Sequence, residues 1–159
     1  MVDIRFDKPN GTQAEEENFY ERVKNIQYAA SRGFISHVGA ELVELRFGHC
    51  TIAVAKRTEL SQQLGYFHGG VSGLLVDASS TLAASTIVRP SQTTLTAEFK
   101  INYLAPAAGD RLICRARVVK PGRTLVVVAS DVFCVTDGVE KQTAIALASI
   151  AIADMPKTG

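Results

Sequence analysis

Two hydrophobic periods divide this chain. Across Gln62 to Ala84, Val71, Leu74, Leu75, Ala78 and Leu82 recur at helical spacing and predict one buried stripe on a long central helix. The neighbouring face is slim, carrying Gly70, Gly73, Asp77, Ser80, Thr81 and Ala84. A second helix is expected from Gln13 to Arg32, with Phe19, Val23, Ile26 and Ala30 on one side, acidic residues in its first turns and Gly33 as its stop. Strand-like alternation fills the rest. His37–Phe47 and Cys50–Ala55 flank Gly48 and read as a hairpin. Gln92–Leu104, Leu112–Val119, Leu125–Val135 and Gln142–Ala153 are separated by turn signals at Pro106–Gly109, Lys120–Arg123 and Asp137-Gly138. These four strands are expected to form an antiparallel meander. The pattern predicts an α+β fold, a curved antiparallel β-sheet wrapped around one long central helix, with an extra N-terminal helix and a loose lead-in over residues 1–12.

Composition narrows the class. A length of 159 residues suits a single domain, 1–159, with a real core. A net charge of +1 and the lack of a basic run with interleaved aromatics argue against nucleic acid. No apolar stretch approaches the ~20 residues of a membrane-spanning helix, and the polar, acidic N-terminus does not read as a signal peptide. Cys50, Cys114 and Cys134 are odd in number and lie in strand-like contexts, as expected of reduced core thiols in a cytoplasmic protein. His37, His49 and His68 lack metal-ligand spacing, so no metal site is expected.

The chemistry concentrates on the central helix. Gly69-Gly70 opens it, where free N–H groups and the helix dipole can polarise a carbonyl and glycine lets a ligand oxygen approach. Asp77 is the only charge between Val71 and Val88, whereas a solvated helix face would carry several. His68 is weaker alone, since a histidine before a helix is commonly a cap. Gly70, Ser80 and Thr81 on the slim face are candidate substrate-binding positions. Gly69 and Asp77 stand eight residues apart, ~12 Å along a helix, too far for one reacting carbonyl to touch both. If both act, a second copy related by a two-fold axis must bring its Asp77 to this Gly69.

His68-Gly69-Gly70 followed by Asp77 in LLVDASSTLA resembles the PaaI-like (phenylacetate-degradation-type) hotdog-fold acyl-CoA thioesterases. AEFKINYLAPAAGD and VVKPGRTLVVVASDVF extend the likeness over residues 34–153. The resemblance implies a hotdog core that hydrolyses an acyl-CoA-type thioester to a free acid and CoA thiol. Asp77 matches the carboxylate that activates water or attacks the carbon, Gly69 the N–H donor to the carbonyl, and His68 the residue near the departing thiolate. Gln62 falls where relatives often have Asn, and Thr96 where some have a hydroxyl beside the carboxylate. Arg123, with Arg89, Lys100, Arg111, Arg115, Arg117 and Lys120, could meet the phosphates of coenzyme A. No separate cofactor is implied. Relatives form homodimers, often dimers of dimers (homotetramers). Two other readings are a hotdog acyl-thioester hydratase or dehydratase, and a catalytically silent acyl-CoA-binding protein. The first usually needs a His and an acid in other local motifs, and intact Asp77 disfavours the second.

Overall fold

The computed structural model describes residues 1–155. The elements run β1 (Asp3–Arg5), α1 (Gln13–Ala30), α2 (Gly33–His37), β2 (Ala40–Arg46), β3 (His49–Ala55), a 3-10 turn (Thr58–Leu60), α3 (Gly69–Ser85), β4 (Gln92–Tyr103), β5 (Arg111–Lys120), β6 (Leu125–Thr136) and β7 (Val139–Asp154). All seven strands join one sheet in the order β1-β2-β3-β5-β6-β7-β4, antiparallel except for β1 against β2. The sheet wraps α3, as its apolar periodicity requires. This is the α+β hotdog architecture the sequence led us to expect.

Local chemistry sets the boundaries. Thr12 and Glu15 form a capping box at the start of α1, each bonding the other's backbone N–H. Gly48, at φ +75°, closes the β2–β3 hairpin, and Asp137 (φ 49°) with Gly138 (φ 77°) closes β6–β7. Leu75, Val76, Ala83 and Ala84 of α3 are fully buried against Ile52, Leu112, Val126, Val128 and Ile150 of the sheet. Serines fill much of the rest of the helix surface, and Ser72, Ser79, Ser80 and Ser85 are buried too. A helix buried on nearly all sides has no room for charge, which is why Asp77 stands alone.

Three expectations are corrected. The four C-terminal strands are not a meander: β5, β6 and β7 are, but β4 pairs with β7 at the far edge. The connection at 104–110 is no tight turn. It crosses the strand ends, with Leu104 N donating to Thr143 O (2.8 Å) and Asp110 N to Val135 O (2.8 Å). Seven residues easily span the roughly 14 Å across three strand spacings. Residues 1–12 are not all lead-in, because β1 pairs beside β2 and Phe6 packs on Phe19 and Phe47 at 5.7 and 5.4 Å. Gly33 (φ +60°) follows the end of α1, as expected of a helix stop, and opens the short α2, which takes up His37 so that β2 begins at Ala40. No helix among the described residues is long and apolar enough to cross a membrane.

Candidate active site

His68 is the N-cap of α3, and its Nδ1 accepts the Gly70 N–H at 2.9 Å. That bond assigns the ring proton to Nε2, a donor with no acceptor among the described residues, on an exposed side chain. Val71 N–H is also taken, by His68 O at 2.9 Å. Gly69 N–H has no acceptor among the described residues. The helix start therefore offers one open N–H, at the residue the sequence singled out, while the Gly70 donor is spent on the cap. Gly70 serves that cap in a second way, because a Cβ there would lie 3.0 Å from His68 Nδ1.

Gly69 lines a cleft of about 530 Å³ with Gln62, Tyr66, Phe67, Ser72 and Tyr103. Tyr103 closes over the glycine: its hydroxyl donates to Gly69 O at 2.8 Å, and a Cβ on Gly69 would stand 3.2 Å from its ring. Gln62 Oε1 accepts the Leu64 N–H at 2.5 Å, which fixes the amide and turns its NH₂ away from that loop. Gln62 thus joins Gly69 in one cleft.

Asp77 lies two turns along α3 and is not among the residues lining this cleft. It is half-buried, and Oδ1 accepts the Thr96 hydroxyl at 2.5 Å. Thr96 Oγ1 also meets Thr81 Oγ1 at 2.8 Å. The structure so brings Asp77, Thr96 and Thr81 together at one place, and Gly69 and Gln62 at another, while His68 lines a separate hollow with Gly70, Phe34 and Leu74. Ser80 belongs to neither: it is fully buried, with Oγ 2.9 Å from Ser130 Oγ. It stands three residues from Asp77, about 60° around the helix, which aims it at β6. Arg123 is exposed in the β5–β6 turn. Arg115 is occupied by a bidentate pair with Glu140, both bonds 2.7 Å, and lies over the Phe133 ring. That pairing holds the Glu140 carboxyl below the usual range and raises Arg115.

Two partners escaped the sequence reading. Thr94 Oγ1 donates to Thr81 O at 3.3 Å and meets Ser85 Oγ at 2.5 Å. A signal existed: Asp77, Thr81 and Ser85 repeat every four residues on α3, and Thr94 and Thr96 every two on β4.

The description "Thioesterase superfamily" matches residues 64–141 of this chain. A crystal structure of a thioesterase family protein from Silicibacter pomeroyi superposes with a TM-score of 0.81 at 31% identity, covering 86% of this chain and 99% of that one. A 1,4-dihydroxy-2-naphthoyl-CoA hydrolase of Listeria monocytogenes is 25% identical over 76% of this chain and 95% of its own length. The E. coli PaaI protein from the phenylacetic acid degradation operon shares the fold, with a TM-score of 0.74 at 16% identity over 87% of this chain and 96% of its own.

Proposed function

We propose that this chain, which belongs to the thioesterase superfamily and is a thioester hydrolase, cleaves an acyl-CoA-type thioester to a free acid and CoA thiol. The observation that carries this reading is the open Gly69 N–H beside the cleft, at the positive end of the helix that also holds the lone carboxylate Asp77. The name of the Listeria relative, a naphthoyl-CoA hydrolase, supports a CoA thioester as substrate.

In this mechanism the thioester carbonyl oxygen accepts the Gly69 N–H. Asp77 takes a proton from a water that attacks the carbon, or attacks the carbon itself. The resulting oxyanion rests on Gly69 N–H and the helix dipole. Its collapse expels the thiolate, and the His68 Nε2–H at the helix cap is the donor assigned to it. Gln62 NH₂ positions the substrate in the cleft. On the nucleophilic route a water then opens the acyl–Asp77 anhydride to free acid and carboxylate, and ¹⁸O from solvent found in Asp77 after a single turnover marks that route, with water adding at the Asp77 carbon.

Gly69 and Asp77 sit at the two ends of ~12 Å of one helix, so the working site needs two chains. The means is at hand in β4. It is an edge strand of the sheet, twelve residues long, with no proline and, among the described residues, one edge unpaired. Two copies pairing antiparallel through β4 continue the sheet and set two α3 helices side by side in opposite directions. Each Gly69 then meets the partner's carboxylate. Higher assembly into a dimer of dimers follows the habit of the family.

The test is release of free thiol from a panel of acyl-CoAs, with enoyl-CoA hydration measured in parallel. Hydrolysis that disappears in Asp77→Asn supports the reading. Hydration without hydrolysis, or no turnover of any thioester, overturns it.

A further inference from the structure

We propose that Thr81 is a positioning residue for Asp77, acting through Thr96. The proposal rests on the assignment of Asp77 as base or nucleophile. Asp77, Thr81 and Ser85 present one side-chain oxygen group per turn of α3, and the inward-facing Thr96 and Thr94 of β4 interleave with them. The contacts form two linked steps: Thr81–Thr96–Asp77 at 2.8 and 2.5 Å, and Ser85–Thr94–Thr81 O at 2.5 and 3.3 Å.

Proton count fixes the direction of every bond. A hydroxyl has one proton. Thr96 gives its proton to the carboxylate, so toward Thr81 it can only accept, and Thr81 must donate. Thr94 gives its proton to Thr81 O, so Ser85 must donate to Thr94. The whole ladder points its protons one way, and Thr96 has no second use for its own. Thr81 thereby holds the Thr96 hydroxyl aimed at Oδ1 and leaves Oδ2 for water or substrate.

The far end of the ladder is clamped by Arg22 of α1. This side chain is only 4% exposed, and its Nε donates to Ser85 O (3.2 Å) while an Nη donates to Gln92 O (2.7 Å). It has no carboxylate partner among the described residues. Its donors tie the last residue of α3 to the first of β4, and so hold the helix and strand in the register the ladder needs. Positioning of this kind acts on the reacting group and not on the Gly69 cleft two turns away.

The test uses the full chain and steady-state hydrolysis of the best acyl-CoA from the panel, with Asp77→Asn as a parallel control. Thr81→Val keeps the shape and removes the proton. It is expected to lower kcat roughly five- to tenfold at unchanged KM, the scale of one lost hydrogen bond. Thr81→Ser restores the donor and should return kcat to within about twofold of wild type. Thr81→Ala needs no extra space and replaces Thr81→Val if that variant does not fold. Wild-type kcat in Thr81→Val, or in Thr81→Ala where that replaces it, with Asp77→Asn inactive, overturns the positioning role alone. So does a raised KM at constant kcat, which marks a substrate contact, or failure of serine to rescue. Full activity in Asp77→Asn overturns the Asp77 assignment and this proposal with it.

Discussion

Thr96 Oγ1 on the edge strand donates to Asp77 Oδ1 in the middle of the central helix, across 2.5 Å. The strand that would meet a second copy thus also touches the only carboxylate of the helix. Assembly and chemistry share one element.

Asp77→Asn and Asp77→Ala are expected to lower the maximal rate by at least ~10²-fold, the scale of a lost base or nucleophile. Folding should survive, because the half-buried side chain carries one hydrogen bond. Hydrolysis and thermal melting of the same preparations check both halves.

Gly69 is constrained twice. Gly69→Pro deletes the open N–H and is expected to abolish turnover in folded protein. Gly69→Ala keeps the N–H but brings a methyl to 3.2 Å from the Tyr103 ring, which must shift. Partial loss is expected there, eased by the double variant Gly69→Ala/Tyr103→Leu. Kinetics of the four proteins decide the matter.

A site shared between chains predicts complementation. Asp77→Ala and Gly69→Pro, each inactive, are expected to regain roughly a quarter of wild-type activity after random subunit exchange, because half the dimers are mixed and each has one intact site of two. Mass spectrometry of differently tagged chains confirms exchange. Confirmed mixed dimers without hydrolysis would count against the two-chain site.

Arg22→Met is expected to destabilise the chain by about 1–3 kcal/mol, because Ser85 O at the end of α3 and Gln92 O both lose their donor. Urea unfolding should show a lower midpoint at unchanged slope.

Burial pushes the Cys114 thiol up to about 12, and Cys50 and Cys134 are buried with it. Iodoacetamide is therefore expected to label none of the three until the chain unfolds. The sign of the linkage follows from the raised value. Stability from the neutral Cys114 is complete below the unfolded value of 9.0 and is lost as pH rises toward about 12. Cys114→Ser should flatten that alkaline decline in a pH series of unfolding midpoints.

What the sequence alone determined is everything that depends on local period and on residue type. The α3 stripe, the Asp137-Gly138 turn and the Gly69 helix start were readable because each is settled within a few residues. Asp77 stood out since burial excludes charge from such a helix unless something holds it. The ~12 Å argument for two chains also needed only helix geometry.

Tertiary structure decided the pairings. The chain order suggested that β4 would pair with β5, yet β4 lies beside β7, because enclosing α3 sends the strand after the helix to the opposite edge of the sheet. That placement brings Thr94 and Thr96 against Thr81, Ser85 and Asp77, a union between residues up to nineteen positions apart. It also reassigns hydroxyls that looked alike in sequence. Ser80 turns to Ser130 and Thr81 to Thr96, because one residue is 100° around a helix and only the packed sheet says what lies on each side.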